Sequence, residues 1–330
     1  MEKNNKKGKI LSGIRPTGPC HIGHYEAILK NWVRLQYEYE TTYEIADLHA
    51  LTDRTETGDL NENIYEVLID LLAVGIDPEV STIFVQSHLP QHSELHLLLS
   101  MITPVPWLER CPTYKEKKQD IQSGEGMGYG LLGYPVLMAT DILIHKGEYV
   151  PVGEDQLPHL ELTREIVRRF NHLYDDVFVE PQAILTETPK ILGIDNRKMS
   201  KSYGNAIFLK DTDDDIRAKI MIMITDPRRA YRKDPGHPEE CNVYSFHLLY
   251  NSERTGEIAE ACRNAGIGCR ECKAELADKV IEVFSEYKER RRYFEGNREL
   301  LDDIIREGDK KAEAVASDTL LRVKRAMKLV

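Results

Sequence analysis

Two histidines lie three residues apart at a turn that is rich in proline and glycine. His21 and His24 flank Gly23 and directly follow residues 15–19, Arg-Pro-Thr-Gly-Pro. Residues three apart on a helix share one face, so both imidazole rings can donate hydrogen bonds to the same anion. A glycine at a helix start lets a nucleotide approach the backbone, and the helix N-terminus favours phosphate. The turn predicts phosphate binding; a solvated first turn is the alternative.

A second polar segment carries two lysines and two hydroxyl groups within five positions. It consists of Lys198, Met199, Ser200, Lys201 and Ser202 and lies between glycine-containing stretches. Ammonium and hydroxyl groups with this spacing can surround a triphosphate. Alone, such a segment is usually a solvated loop. Together with the histidine pair it indicates a nucleotide site.

One carboxylate lies inside an apolar helical stretch. Asp141 has mostly aliphatic neighbours over positions 136–144. A buried carboxylate is costly unless it is hydrogen-bonded. The pattern therefore predicts either a buried aspartate with specific partners or an aspartate on the wet face of an amphipathic helix.

Four of the six cysteines fall close together in the last third of the chain. Cys241, Cys262, Cys269 and Cys272 have the spacing C-x20-C-x6-C-x2-C. Disulfide frameworks are rare in cytosolic proteins, so the cluster indicates a metal. Four thiolates suit Zn²⁺ or an iron–sulfur cluster. A redox-active C-x-x-C would need a strand–helix context, whereas Cys269 follows a glycine turn between helices.

Strand-like and helix-like segments alternate through the first two-thirds of the chain. Strands are predicted at 9–14, 42–46 and 81–86, and helices at 23–38 and 61–76. Strands separated by helices of this length form a doubly wound parallel sheet. Ligands bind such sheets at the carboxyl ends of the strands.

The remaining pattern is mainly helical. Helices are predicted at 137–144 and 155–170 around a turn at 150–153, and the five glycines of 124–133 predict a loop. Beyond about residue 207 the pattern is helical almost to the end. The predicted fold is α/β, with a Rossmann-like domain over 1–210 followed by an all-helical domain over 211–330.

The composition is typical of a folded, soluble chain. Of 330 residues, 41% are hydrophobic and 30% charged, and the formal net charge is −11. No apolar run approaches the ~18–20 residues of a membrane span, and the charged N-terminus lacks the apolar core of a secretory signal. We therefore expect a cytoplasmic protein with no membrane association. The acidic total excludes a generally basic nucleic-acid coat but allows local basic patches.

The histidine turn and the lysine segment together resemble the two signature motifs of class I aminoacyl-tRNA synthetases. His21-Ile22-Gly23-His24 and residues 198–202 match both motifs in full and in the right order. The subfamily that the chain resembles is the bacterial tryptophanyl-tRNA synthetases. That resemblance runs from about residue 9 to the C-terminus, and its most specific stretches are residues 12–18, 47–52, 135–143 and 150–156.

The resemblance implies a two-step reaction and the partners that it needs. The carboxylate of L-tryptophan attacks the α-phosphorus of ATP carrying Mg²⁺, which gives tryptophanyl-adenylate and pyrophosphate. The 3′ end of tRNA(Trp) then takes the aminoacyl group. Catalysis would consist of holding two anions in line and stabilising the leaving pyrophosphate. The resemblance also implies a homodimer.

The resemblance further implies roles for single positions. The catalytic residues would be His21, His24, Lys198 and Lys201. The ATP-binding residues would be Arg15, Pro16, Thr17, Gly23, His24, Gly153, Glu154, Asp155, Ile191, Lys198, Met199, Ser200, Lys201 and Ser202. The tryptophan-binding residues would be Leu11, His49, Tyr134, Met138, Asp141, Val150, Val152 and Gln156. Within that set, Asp141 would accept the indole N–H.

The four-cysteine pattern resembles that of bacterial tryptophanyl enzymes that hold a [4Fe–4S] cluster in the C-terminal domain. Zn²⁺ and unliganded cysteines are the alternatives. The same helical domain would bind the anticodon, and the basic segments 228–233 and 288–293 are candidates for tRNA contact. The rival functions are a tyrosyl-tRNA synthetase and a synthetase-like RNA-binding protein without catalysis.

Overall fold

A computed structural model describes residues 6–52, 54–112, 114–115, 128–185 and 191–330. Part of the predicted glycine loop, residues 124–127, lies outside these ranges, whereas residues 129–133 begin a helix and are not a loop. No helix within the described ranges is both long enough and apolar enough to span a bilayer.

Five parallel strands form one sheet. They are β1 (Lys9–Ile14), β2 (Glu40–Ile45), β3 (Thr82–Val85), β4 (Tyr149–Val152) and β5 (Gln182–Leu185), in the order β3-β2-β1-β4-β5. β1 pairs with β2 along its whole length. The chain starts at the centre of the sheet and extends it in both directions, which is the doubly wound arrangement. The predicted fold class is confirmed.

The turn predicted at 150–153 is wrong, because most of it is strand β4. Proline cannot donate to a β-ladder, so Pro151 argued against a strand. In the structure, β4 pairs with β1 only at Tyr149, opposite Ile10, and Pro151 is paired with Ile184 of β5. The ladder to β1 has ended before Pro151, so its missing N–H breaks no bond on that side.

Helices make up most of the remaining described chain. They are α1 (Ile22–His24), α2 (Lys30–Glu38), α3 (Asp47–Ala50), α4 (Leu60–Val74), α5 (Pro90–Ser100), α6 (Val105–Glu109), α7 (Tyr129–Ile144), α8 (Leu157–Leu173), α9 (Asp213–Ile222), α10 (Asn242–Tyr250), α11 (Thr255–Arg263), α12 (Cys269–Val283), α13 (Ser285–Glu295) and α14 (Arg298–Ala326). A π-helical turn, Tyr25–Leu29, separates α1 from α2, so the single helix predicted over 23–38 consists of three segments. Such turns are rare and often occur at functional sites.

The chain forms two compact units that do not follow the order of the sequence. The first comprises Met1–Gly18, Lys30–Glu187 and Phe294–Val330, and the second comprises Pro19–Leu29 and Thr188–Tyr293. The boundary predicted at 210/211 does not coincide with this division. The histidine turn belongs to the second unit and the C-terminal helix to the first. Long-range packing determines the unit to which each segment belongs, and local sequence patterns do not report long-range packing.

The first unit buries a hydrophobic cluster between the sheet and its helices. The cluster takes Leu11 from β1, Phe84 from β3, and Val150 and Val152 from β4, together with aliphatic side chains of α7, α8 and α14. Burial of apolar surface contributes roughly 25 cal/mol per Å². This packing holds α7 against the sheet and thereby fixes the position of Asp141.

Helix α14 covers the edge strand β3. Gly308 lies directly against the backbone of Ile83. The carboxylate of the next residue, Asp309, accepts a hydrogen bond from the Val85 N–H at 3.1 Å and lies 2.6 Å from His88 Nδ1. An uncovered edge strand would present unpaired backbone groups. The helix therefore protects the sheet and ties the C-terminal segment to the first unit.

The contact between Gly308 and Ile83 predicts a strong effect of a single methyl group. A Cβ at position 308 would overlap the carbonyl oxygen of Ile83, so we expect Gly308→Ala to lower the free energy of unfolding by about 1–3 kcal/mol through overpacking. Urea unfolding followed by circular dichroism measures the change. The matched control is Gly256→Ala in α11, where a Cβ meets nothing within 4 Å. That variant should be neutral or stabilising, and equal effects of the two variants would contradict the predicted clash.

Candidate active site and cysteine cluster

The carboxylate of Asp141 lies in the interior of the first unit and has three donors. The residue is 5% exposed. Its Oδ2 lies 2.9 Å from His49 Nε2, and its Oδ1 lies 2.7 Å from His92 Nδ1. Gln86 Nε2 donates to both oxygens, at 2.9 and 3.0 Å. Of the two readings of the sequence, the buried and hydrogen-bonded aspartate is therefore the observed one.

The donors of Asp141 come from the carboxyl ends of two neighbouring strands. His49 lies on α3, directly after β2, and Gln86 directly follows β3. His92 lies on α5, a few residues further along. The sequence analysis named His49 but missed Gln86 and His92. The rule that ligands bind at the carboxyl ends of strands would have pointed to Gln86, since it applies equally to the third predicted strand.

The two buried acids Asp141 and Glu44 have pKa values that are shifted in opposite directions. Burial alone would raise the pKa of Asp141, but the hydrogen bonds from His49 and His92 outweigh it and hold that pKa below its usual value. Burial, together with the charges of Asp141 and Asp47, raises the pKa of Glu44 well above its usual range. Glu44 is fully buried on β2, and its Oε1 has no hydrogen-bond partner among the described residues. The pKa shifts thus favour the charged form of Asp141 and the neutral form of Glu44.

A cleft of about 290 Å³ lies between α3, α5 and α7. Its walls are formed by Leu48, Leu51, Thr52, Ser93, His96, Tyr129, Gly130, Gly133, Tyr134 and Leu137. Tyr134 is the one residue of the predicted tryptophan set among them, and its hydroxyl lies 2.5 Å from His159 Nε2. Leu11, Met138, Val150 and Val152 instead belong to the adjoining hydrophobic cluster. Sequence reasoning missed the polar members of the wall, Ser93 and His96.

The ATP candidates of the first unit follow two strands. Arg15, Pro16 and Thr17 come directly after β1, and Pro16 is buried while its two neighbours are exposed. Gly153, Glu154 and Asp155 come directly after β4. The Gln156 amide donates to Asp155 Oδ2 at 2.8 Å. Both groups therefore lie at the edge of the sheet where a doubly wound fold binds its ligand.

In the second unit, His21 and His24 hold each other through the backbone. The His24 N–H donates to His21 Nδ1 at 3.3 Å, and the His21 N–H donates to His24 Nδ1 at 3.2 Å. The two rings stack with their centroids 3.7 Å apart. Because each Nδ1 accepts a hydrogen bond, each neutral ring carries its proton on Nε2. The turn thus presents two uncharged N–H donors.

Burial and a nearby cation keep both rings uncharged. Burial, followed by the charge of Lys201, lowers the pKa of His21 to about 4. Burial, then His21, then Lys201 lower the pKa of His24 well below its usual value. A Cβ added to Gly23 would also lie 3.7 Å from Met199 Cβ. The structure therefore brings the histidine turn and the lysine segment together, as the sequence predicted.

The lysine segment is folded around one buried amide. Asn205 Oδ1 accepts the Ser200 N–H at 2.8 Å, and Asn205 Nδ2 donates to Asp195 Oδ1 at 2.7 Å and to the Lys198 carbonyl at 3.1 Å. The Met199 N–H donates to the Ile191 carbonyl at 3.2 Å. The hydroxyls of Ser200 and Ser202 bond to each other at 2.9 Å. Sequence reasoning missed Asn205, which carries no motif signal.

The four cysteines gather around the start of α12. Cys269 and Cys272 lie in the first turn of that helix, Cys262 lies at the end of α11, and Cys241 directly precedes α10. Burial and the charges of the other three cysteines raise the pKa of Cys272 to about 12. In the described part of the chain, no three of these sulfurs lie within 4.8 Å of one another, a spacing that Glu44, His92 and Asp141 do meet.

One arginine and one glycine adjoin the sulfurs. Arg229 is 9% exposed, and its guanidinium lies 3.8 Å from Cys262 Sγ and 4.0 Å from Cys269 Sγ. A Cβ on Gly236 would collide with Cys262 Sγ. Arg229 was expected on an exposed basic patch, but it points inward. Arg291 of the second predicted patch is likewise buried, next to the Tyr287 hydroxyl.

The family model for tRNA synthetases of class I (W and Y) matches residues 3–285. The chain is 49% identical to the tryptophan–tRNA ligase of Thermotoga maritima, over 98% of this chain and 99% of that one. It is 42% identical to the tryptophan–tRNA ligase of Aquifex aeolicus, over 97% and 100%.

Solved structures show similarity to the same family. The tryptophanyl-tRNA synthetase of Campylobacter jejuni, complexed with ADP and tryptophan, matches with a TM-score of 0.88 at 31% identity, over 97% of this chain and 99% of that one. The tyrosyl-tRNA synthetase of Archaeoglobus fulgidus matches with a TM-score of 0.65 at 21% identity, which shows the fold alone. The family model and these nearly full-length matches show that the chain belongs to the class I tRNA synthetases for tryptophan and tyrosine.

Proposed function

We propose that this chain is a tryptophan–tRNA ligase that activates L-tryptophan with ATP and transfers it to tRNA(Trp). The observation that carries the proposal is the pair of neutral, stacked histidines within the electrostatic reach of Lys201. This arrangement combines N–H donors and a cation, as a polyphosphate requires. Charging of tRNA with each of the twenty amino acids tests it, and tryptophan alone should be accepted.

The first step needs no protein nucleophile, because the tryptophan carboxylate attacks the α-phosphorus itself. The chain must orient ATP and stabilise the charge that develops on pyrophosphate. His21 and His24 donate their Nε2–H groups to phosphate oxygens without adding charge. Lys198 and Lys201 supply the positive charge, and Ser200 and Ser202 add hydroxyl contacts. Mg²⁺, bound to ATP, neutralises further charge on the phosphates.

The ATP-binding roles are proposed residue by residue. Arg15, Pro16, Thr17, Gly153, Glu154 and Asp155 contact ATP from the carboxyl ends of β1 and β4. Gly23 lets the nucleotide approach the backbone, Met199 contributes from its buried position within the lysine segment, and Ile191 contacts adenine through its backbone. Support comes from the position of these residues directly after strands or next to the histidine turn.

Tryptophan is selected by its ring nitrogen. Asp141 accepts the indole N–H, and His49, Leu11, Met138, Val150 and Val152 surround the ring. Tyr134 and Gln156 hold the amino and carboxylate groups. A site built around a buried acceptor rejects phenylalanine strongly, because the carboxylate would lose a partner. The same argument separates tryptophan from tyrosine, which has no ring N–H.

We also propose that Cys241, Cys262, Cys269 and Cys272 hold a [4Fe–4S] cluster. Around a single Zn²⁺, four sulfurs at about 2.3 Å would lie about 4 Å apart, and no three of the described sulfurs lie within 4.8 Å of one another. In a cubane each sulfur binds a different iron, so a wider set fits it better. Bound in this way, the cluster would cross-link α10, α11 and α12. Its chemistry would be structural, with Zn²⁺ as the alternative occupant.

Transfer to tRNA and assembly involve other surfaces. The second unit contacts the anticodon, with Arg228 and Arg232 as exposed members of the basic segments and Lys288 as a largely buried one. Each of these three has an acidic neighbour, namely Glu240, Glu271 and Asp213 respectively. A homodimer forms through the apolar side chains of α5–α7, since Leu97, Met101, Val105 and Tyr129 are more than half exposed. The enzyme acts in the cytoplasm, where its substrates are.

The neutral histidines predict an unusual titration. Because burial and Lys201 lower the pKa of His21 to about 4, we expect its imidazole to stay uncharged at pH 6. His88, whose pKa is raised by its hydrogen bond to Asp309, is the internal control and should be mostly protonated there. NMR titration of ¹⁵N-labelled imidazoles measures both. Since His21 binds fewer protons in the folded than in the unfolded chain, its contribution to stability is lost as the pH falls from about 6.5 toward 4. A His21 midpoint near about 6.5 would contradict the assignment.

The role of Lys201 predicts a loss of rate without a loss of tryptophan affinity. Lys201→Ala should lower tryptophan-dependent pyrophosphate exchange by about a hundredfold, because one cation at the leaving pyrophosphate is removed. The tryptophan Kd, measured by calorimetry, should change by less than about threefold. Lys279→Ala, which removes an exposed lysine paired with Glu282 in the same unit, is the matched control. Unchanged exchange in Lys201→Ala would exclude the segment from the pyrophosphate site.

The cysteine proposal predicts iron, sulfide and colour. Anaerobically purified protein should be brown and contain about four iron and four sulfide per chain. Cys262→Ser should lose the cluster, whereas Cys111→Ser, at a buried cysteine outside the set, should keep it. Stoichiometric zinc without sulfide would establish the alternative occupant and refute the cluster.

A further inference from the structure

Asp141 already has all of its hydrogen-bonding capacity filled in the structure. A carboxylate has about four lone-pair positions. His49 and Gln86 occupy Oδ2, and His92 and Gln86 occupy Oδ1. A ligand N–H therefore cannot simply be added to this carboxylate. One of the three donors has to give up its place.

Two of the donors, Gln86 and His92, are each held in place by further hydrogen bonds. Gln86 is fully buried, and its Oε1 accepts the Leu48 and His49 N–H groups at 3.1 and 3.3 Å, which fixes the direction of its amide. The side chain of His92 is 0% exposed, and its Nε2 lies 3.0 Å from His145 Nε2. Neither donor can leave without breaking a second buried hydrogen bond.

His49 is the donor that can leave. Its side chain is 13% exposed, and its neighbours in α3, Leu48 and Leu51, line the cleft. Release of its Nε2 toward the cleft exposes the ring to water instead of leaving it unsatisfied in the interior. The lone pair of Asp141 Oδ2 that His49 occupies is thus the one that a ligand in the cleft can take.

The buried acid Glu44 does not convert the group into a metal site. Glu44, His92 and Asp141 place ligand atoms within 4.8 Å of one another. Both ring nitrogens of His92 are engaged, however, Nδ1 by Asp141 and Nε2 by His145. His92 therefore has no lone pair for a cation, and its remaining role is that of a donor.

We infer that His92, held by His145, is a positioning residue for tryptophan selection, and that the ring N–H of the ligand replaces His49 at Asp141 Oδ2. His92 and Gln86 keep the carboxylate in one orientation while the third donor is exchanged. A ligand without the N–H displaces His49 but leaves Asp141 Oδ2 without a replacement hydrogen bond. The exchange therefore increases the discrimination between tryptophan and ligands that lack the ring N–H. This inference rests on the proposed role of Asp141 as the indole acceptor.

The test compares tryptophan with its analogue that has sulfur in place of the ring N–H. Steady-state pyrophosphate exchange gives kcat and KM for both. His92→Asn keeps an N–H donor at the Nδ1 position, whereas His92→Gln moves the donor to the Nε2 position. We expect His92→Gln to raise the tryptophan KM by about tenfold, with kcat and the KM of the analogue changed by less than about twofold. His92→Asn should recover the tryptophan KM to within about threefold of wild type.

The control is His88→Gln, which moves the donor away from the carboxylate in another histidine–aspartate pair of the same unit, and it should leave both KM values unchanged. An equal rise of both KM values in His92→Gln, or no recovery in His92→Asn, would overturn the positioning role. Asp141→Asn separates this from the parent proposal: if it keeps the wild-type preference for tryptophan over the analogue, the indole role of Asp141 itself is wrong.

The exchange has a spectroscopic signature of its own. In ¹⁵N-labelled protein, saturation with tryptophan should shift the Nε2–H signal of His49 and leave the Nδ1–H signal of His92 in place. A shift of the His92 signal with an unchanged His49 signal would overturn the exchange.

Discussion

All strands of the sheet run in the same direction, and the candidate site depends on that constraint. In a parallel sheet every strand ends at the same edge, so residues that directly follow different strands converge there. Arg15 follows β1, His49 follows β2 within a few residues, Gln86 follows β3, and Gly153 follows β4. Residues that are far apart in the sequence therefore lie at one edge without any local signal that links them.

The need to satisfy buried polar groups then determines how these residues are arranged. Asp141 keeps its charge in the interior because three side chains donate to it. His21 and His24 show the opposite case, since burial and the charge of Lys201 keep both rings uncharged. Each Nδ1 accepts a backbone N–H, which leaves the Nε2–H of each ring available. Charge is thus retained at Asp141 and absent at the histidine turn.

The chain returns to the first unit with its C-terminal helix α14, which protects the edge of the sheet. β3 is an edge strand, and α14 covers it through the close approach of Gly308 and the bond from Val85 to Asp309. The helix also adds four side chains, Ala312, Ala316, Leu320 and Val323, to the hydrophobic cluster. A segment that the sequence assigns to the helical domain is therefore part of the support for the parallel sheet.

The sequence by itself determined the doubly wound sheet, the histidine turn, the lysine segment and the cysteine set, because hydrophobic periodicity and closely spaced motifs are local. The tertiary structure alone decided that 150–153 is a strand, that α14 belongs to the first unit, and that Arg229 points at the sulfurs. Only the tertiary structure, too, placed Gln86 and His92 next to Asp141. Each of these depends on which distant groups meet and on the cost of leaving a buried polar atom unpaired, and neither quantity is written in any local stretch of residues.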